Sequence, residues 1–451
     1  MADRHSAGGG RPLTRRSLVV GGGALGAAAM MGAALGRNAR PALEKRMVTL
    51  GFIALTDCAP LVVAAEKRFF AAEGLEVSLS REPSWANIRD KVAVGALDGA
   101  HILGAMPVAA TLGIDAIAKP MVAPLAFNQN GDAITLSNAV TERLGAMAPG
   151  AALDPRRLKA LIDADREAGR PKLVLAAVYA FSSHNYLLRY WLAAGGIDPD
   201  RDVRMVTVPP PQMVTQLAAG RIDGYCVGDP WNTRALMLGV GVIAARSRDI
   251  WDRHPEKVLG VTEAWAAAHP NTCRALVRAL ISACAWLDEP GNRAEAAHIL
   301  ARRDYVGADE ATIAAALVGS GGIAANHVFF AGAATFPWRS HALWYATQMV
   351  RWGQAPDLAL AARAAESAYA PELYRAAAAD LGVAAPTIDR KQEGAHAQAW
   401  TLAQATAPIA MGADQFIDRR IFDPADLGGY LGELPFAQSR RAREPLTAFR
   451  G

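Results

Sequence analysis

Along this chain, short apolar runs alternate with stretches whose apolar residues recur three and four positions apart. Val48 to Ala54, Leu75 to Leu79, Ala100 to Leu103, Ala133 to Leu136, Lys172 to Tyr179, Val203 to Val208 and Ile222 to Val227 read as buried strands. Between them, Ala59 to Glu73, Trp85 to Gly95, Phe181 to Gly196 and Gln212 to Ala219 carry helical spacing. Such alternation predicts an α/β fold with mostly parallel sheets.

One of these helices is punctuated at both ends. In "FSSHNYLLRYWLAAGG" (Phe181 to Gly196), Ser182 and Ser183 are natural N-cap residues and Gly195-Gly196 suit the stop. Leu187, Leu188, Trp191 and Leu192 form the inward stripe, and His184 lies on it in the first turn. Position alone serves two readings equally. The serines cap while His184 is a core histidine bonded to backbone, or Ser182, Ser183 and His184 donate to an oxyanion at the helix mouth.

An internal echo supplies the larger plan. "VAVGALDGAHIL" (Val92 to Leu103) and "QLAAGRIDGYCVG" (Gln216 to Gly228) each end a helix at a glycine, then open a strand with Asp-Gly. The glycines suit turn conformations that a Cβ resists, and Asp98 and Asp223 can bond local backbone N–H groups. Two lobes of like construction, with a ligand cleft between them, are the expectation. Trp85, behind Ser84, is then the first lobe's counterpart of the Ser182–His184 turn. Its indole N–H can donate but not accept; a core or anchoring tryptophan is the plainer reading. In "VGDPWN" (Val227 to Asn232), Asp229 and Trp231 fall at a strand end, suited to a crossing between lobes.

The remainder is largely helical: Thr272 to Leu287, Arg293 to Arg302, Ala311 to Val318 and Ala342 to Trp352, then an Ala-rich stretch and a charged tail from Phe436. The expected domains are a first part of lobe I over 47–130 and lobe II over 131–232. The chain then returns to lobe I over 233–353, with a C-terminal helical extension and tail over 354–451. The C-terminal helices are expected to pack on lobe I.

Composition and charge narrow the class. The chain has 451 residues, is 52% hydrophobic and carries a formal +4. Residues 1–46 hold eight Lys/Arg and two acids, a net of +6, leaving about −2 for the rest. A basic excess confined to a leader argues against nucleic acid as partner. That leader contains Thr14-Arg15-Arg16-Ser17-Leu18-Val19, then no charge from Ser17 to Gly36, with small residues at Ala34-Leu35-Gly36. It resembles a twin-arginine export signal over 1–36 and predicts a periplasmic protein. An uncleaved anchor is the alternative, since about 20 uncharged residues can span a bilayer. Cys58, Cys226, Cys273 and Cys284 match no metal spacing and read as buried small residues. A Cys58–Cys226 bridge stays open in an oxidising compartment. Cys273 and Cys284, ~16 Å apart on one helix, cannot pair.

Enzyme chemistry finds no inventory: there is no G-x-S-x-G, phosphate loop, H-E-x-x-H or C-x-x-C. Gly21-Gly22-Gly23 lies in the leader and follows no strand. A binding protein that makes and breaks no bond is the expectation, with no cofactor and no metal.

Five blocks in order carry a family resemblance: Gly51 to Leu103, "RYWLAAGGIDPD" (Arg189 to Asp200), "CVGDPWN" (Cys226 to Asn232), "HPEKVLG" (His254 to Gly260) and "RSHALWYATQMVRWG" (Arg339 to Gly353). They are similar to the nitrate-binding and related bicarbonate-binding solute receptors of ABC importers. The resemblance implies a two-lobed periplasmic-binding (type 2) α/β fold with extra C-terminal helices. It implies a monomer that hands nitrate or nitrite to a membrane permease. It also implies ligand contacts from Trp85, His184 and Lys257, with Ser183 and Trp231 nearby; Lys257 alone would otherwise read as a solvated charge. In the bicarbonate-binding relatives the position of Lys257 is acidic and holds calcium, so a lysine there implies nitrate or nitrite. One position departs: Asp132, in "NQNGDAITLSN", stands where nitrate binders carry an amide donor. An ionised carboxylate only accepts, and repels an anion. Asp132 therefore turns away, pairs with Lys257, is protonated, or marks a different ligand. A sensor of the same fold, which releases a protein partner when anion binds, is the second functional reading; the export leader favours the receptor.

Overall fold

Ten strands build two five-stranded sheets. In chain order they are β1 (Met47–Phe52), β2 (Glu76–Arg81), β3 (Gly99–Leu103), β4 (Met121–Ala126), β5 (Asp132–Ser137), β6 (Val174–Ala177), β7 (Arg204–Thr207), β8 (Gly224–Gly228), β9 (Gly241–Arg246) and β10 (Lys257–Thr262). In this computed structural model the described residues are 41–437, except 115, 117, 146–149, 290 and 320–324. The leader expected over 1–36 lies outside them. The described residues from Leu43 onward form one compact unit.

The first sheet runs β2-β1-β3-β10-β4 and the second β7-β6-β8-β5-β9. The orders correspond strand for strand. In each, three parallel strands are followed by one antiparallel strand from the far side of a crossing, β10 in lobe I and β5 in lobe II. The central strands β3 and β8 are buried along their whole length, as strands covered on both faces must be.

The echo seen in the sequence is a structural equivalence. Asp98 Oδ2 accepts from Thr49 N of β1 at 2.9 Å, and Asp223 Oδ2 accepts from Val174 N of β6 at 2.7 Å. Each carboxylate thus pins the first half of the neighbouring strand. Gly99 and Gly224 have another task than the turn expected of them: a Cβ on either would lie 2.7 Å from a side chain of the antiparallel neighbour, Val261 or Leu136 respectively.

Two boundaries differ from expectation. β9 pairs with β5, so the second sheet runs on to Arg246 and not to 232. The Gly-Val run at 241–246 is short and mixed, and only its antiparallel partner makes it a strand. The helix expected over Ala59 to Glu73 is two, Ala59–Glu66 and Phe69–Ala72, because Arg68 takes φ +62°. Strands β4 and β10 lay in apolar runs that periodicity alone left unassigned. All four cysteines are free and buried, so Cys58 and Cys226 are not bridged.

The lobes meet at a waist of three backbone segments. Phe127 N bonds Lys257 O at 2.8 Å and Asn130 N bonds His254 O at 2.8 Å. Gln129 and Val328 exchange two bonds at 2.8 and 3.0 Å. Gly131, at φ +104°, lies where a Cβ would stand 2.5 Å from the His327 ring. Loops at the strand ends add inter-lobe bonds: Thr56 N to Asp229 O at 2.8 Å and Trp231 Nε1 to Ala54 O at 3.1 Å.

Helices Leu358–Ala368 and Pro371–Leu381 pack on lobe I, against β4 and its neighbours. Beyond them the chain reaches across to lobe II. Phe416 stacks on Trp251 with centroids 4.5 Å apart, Ile417 N bonds Ile250 O at 2.7 Å, and Tyr190 OH bonds Asp418 at 3.0 Å. The same segment is tied to lobe I, where Trp344 Nε1 reaches Tyr430 OH at 3.2 Å and Arg351 reaches Pro435 O at 2.9 Å. Among the described residues, no helix is long and apolar enough to cross a membrane.

Candidate functional site

Two capped helices open onto the interface between the sheets. Ser84 is the N-cap of Trp85–Ala93, its side chain accepting from Asn87 N at 3.2 Å. Ser182 is the N-cap of Ser183–Ala194, accepting from Asn185 N at 2.9 Å and donating to Tyr179 O at 2.6 Å. Trp85 and His184 therefore sit in the first turns of matching helices, after β2 and β6. Both are buried; neither Trp85 Nε1 nor His184 Nδ1 has a partner. Ser183 Oγ is also buried and without a partner.

Lys257 opens β10 at the waist and is wholly buried. Its Nζ donates to Asp57 Oδ2 at 2.7 Å and to Glu256 Oε1. It lies 5.6 Å from the Trp85 ring centroid, within cation–π range. His101 Nε2 stands 2.9 Å from the other Asp57 oxygen. Burial pushes the Asp57 carboxyl up, but Lys257 and then His101 outweigh it and hold it at about 2. Burial likewise works against the Lys257 charge, and Asp57 and Glu256 more than restore it, so its pKa is raised.

Asp132, the first residue of β5, pairs with neither solvent nor Lys257. Its Oδ1 lies 3.0 Å from His184 Nε2, and Glu256 Oε1 lies 3.0 Å from the same nitrogen. Burial, then the Glu256 charge, push the Asp132 carboxyl up to about 7. Burial disfavours the His184 charge, but Asp132 and Glu256 overcome it and raise the ring to about 9. The sequence offered four fates for Asp132; the structure adds a fifth, a partnership with the histidine of the same lobe.

Trp231 lies at the crossing between the lobes, where the strand end had placed it. It starts the helix Trp231–Met237, but its indole N–H is held by the Ala54 carbonyl, so it fastens one lobe to the other. Residues that sequence reasoning did not single out complete the cluster: Asp57, His101, His254, Glu256 and His327. Asp57 and Glu256 stood inside two of the family blocks, in "LTDCAP" and "HPEKVLG", yet only the fold brings them to one point. His254 and His327 are buried and held low, at about 3 and about 4, chiefly by burial. No metal spacing marks the sequence, but one ligand atom from each of Asp132, His254 and Glu256 lies within 4.8 Å of the others.

Two like-built lobes with a buried, charged cluster between them are the two-lobed periplasmic-binding fold. The chain belongs to the NMT1-like family, which matches residues 41–301. It is 35% identical to the nitrate/nitrite binding protein NrtA of Synechococcus elongatus, with 89% of each chain covered. The crystal structure of the periplasmic nitrate-binding protein NrtA from Synechocystis superposes with a TM-score of 0.76 at 29% identity, covering 87% of this chain and 100% of that one. Similarity is higher, 46% over 70% of this chain, to the bicarbonate transport ATP-binding protein CmpC of Synechocystis. The chain spans about half the length of that relative, 48%.

Proposed function

We propose that this protein captures nitrate or nitrite between its lobes in the periplasm and delivers it to the membrane permease of an ABC importer. One observation carries the reading: a buried ammonium, Lys257, stands beside two unpartnered donors, Trp85 Nε1 and His184 Nδ1, contributed by the two lobes. Charge-assisted bonds from Lys257 and the His184 imidazolium and a neutral bond from the Trp85 indole suit a small planar oxyanion. Ser183 Oγ is a fourth donor at the same helix mouth. The likeness to nitrate/nitrite binding proteins supports the ligand class, and the twin-arginine-like leader supports export. Binding involves no bond making, so the chain acts as a receptor and not as an enzyme.

Calorimetry on the purified chain with nitrate, nitrite and bicarbonate, each with and without calcium, tests this. Saturable heat with nitrate or nitrite is expected. Binding of bicarbonate alone, or only with calcium, overturns the assignment.

A further inference from the structure

An anion meets an awkward electrostatic field here. Asp57, Asp132 and Glu256 are all fully buried, and the cations facing them are Lys257 and His184. With every carboxylate ionised, the cluster is already one charge negative before any anion enters. Burying a further negative charge against that excess is costly.

The same cluster has spare ligand atoms. His184 holds Asp132 Oδ1, while Asp132 Oδ2 has no partner. Lys257 and His184 hold Glu256 Oε1, while Glu256 Oε2 has none. His254 is wholly buried, and neither ring nitrogen has a hydrogen-bond partner. Its backbone is anchored by bonds in both directions with Asn130. Ring packing on Trp251, at 5.4 Å between centroids, fixes its orientation further.

We propose that Asp132, His254 and Glu256 form a site for a divalent transition-metal ion of the zinc, cobalt or manganese class, against which the small oxyanion is held. One neutral imidazole and two carboxylates is a borderline donor set. Calcium favours six to eight oxygens, and a site with an imidazole at its centre disfavours it. A dication turns the excess of one negative charge into an excess of one positive charge. Three protein donors leave coordination positions open, which is what a metal that also receives a ligand requires. Because Asp132 opens lobe II and His254 and Glu256 lie in the returning segment, the ion would sit at the waist. The oxyanion part of this proposal rests on the proposed capture of nitrate or nitrite; the metal site does not.

Chelator-treated protein is titrated with cobalt(II) while visible absorption and heat are recorded. A single saturating equivalent with d–d bands is expected, displaced by zinc and not by an equal concentration of calcium. His254→Gln and Asp132→Asn should each weaken cobalt binding by more than the ~10-fold that loss of an outer partner costs, with melting curves confirming that the variants fold. Elemental analysis of the natural chain as purified needs no variant and should find a stoichiometric transition metal after growth in zinc-replete medium. Absence of saturable cobalt binding by the natural chain, or unchanged affinity in both variants, overturns the site. Nitrate binding by metal-free protein without cobalt uptake removes the metal and leaves the anion reading standing. Cobalt uptake without nitrate, nitrite or bicarbonate binding in either form does the reverse.

Discussion

Lobe I and lobe II present the same architecture to the interface but different electrostatics. Each has the same strand order, an Asp-Gly strand opening and a serine-capped helix mouth. In lobe I the cation is an ammonium shared by two carboxylates that stay ionised, with an indole beside it. In lobe II the cation is an imidazole, and one of its two carboxylate partners is raised toward neutrality. Duplicated backbone geometry therefore does not duplicate chemistry. Lobe I supplies a charge that is fixed over the accessible pH range; lobe II supplies one that titrates.

The strongest way to break this contrast is on the lobe I side. Lys257→Ala removes the ammonium from buried Asp57 and Glu256, leaving them only the imidazoles of His101 and His184, and breaking such a buried pair costs ~3–5 kcal/mol. Urea unfolding should show that loss, and calorimetry should show no nitrate binding. Unchanged affinity would remove Lys257 from the ligand. His184→Ala is the lobe II counterpart. It removes charged hydrogen bonds worth ~1.5–3 kcal/mol, but Asp132 can take up a proton, so stability should fall by less than for Lys257→Ala. A larger loss at His184 reverses the ranking of the lobes.

Proton linkage sharpens the same contrast in metal-free protein. Asp57 titrates at about 2 when folded against 3.8 unfolded, so its contribution is complete above 3.8 and lost as pH falls through about 2. His184 titrates at about 9 against 6.5, so its contribution is complete below 6.5 and lost as pH rises through about 9. Asp132, raised from 3.8 to about 7, acts in the same direction as His184: its advantage holds in acid and is gone above about 7. Denaturant melts across pH should thus lose stability at both ends, and His184→Ala should flatten only the alkaline limb. An alkaline limb that survives in that variant assigns it to other groups. The smallest effect distinguishes the two helix mouths. Ser84→Ala should cost ~1 kcal/mol. Ser182→Ala should cost more, because its hydroxyl also donates to Tyr179 O inside the protein. Equal losses in denaturant melts would mean that the second bond contributes nothing.

Much of the architecture was legible because it repeats. The Asp98 and Asp223 turns and the serine caps are local chemistry, and spacing alone puts Trp85 and His184 at equivalent places. β9 and β10 were not legible as strands, since runs this short become strands only beside an antiparallel neighbour. For the candidate site, the proposed donors Trp85, His184 and Lys257 and the acceptor Asp132 stood at motif positions, while Asp57 and Glu256 were not singled out. Asp57 and Glu256 come from distant elements, and Lys257 joins them, bonding Asp57 across a sequence separation of 200. Nothing in local spacing encodes that meeting. Asp132 stood out as anomalous, but its partner became visible only with β5 beside the mouth of the histidine-bearing helix.

The C-terminal segment that reaches from Tyr430 to Phe416 has a kinetic consequence. A two-lobed receptor discharges its cargo by opening, and the exit rate is set by what opening must break. Here that includes the stack of Phe416 on Trp251 and the bond from Tyr190 to Asp418, neither of which involves the cargo. If this chain captures an anion as proposed, the strap would govern how long that anion dwells without touching it. The permease of the proposed function, in prying the lobes apart, would have to work against this clasp as well as against the ligand.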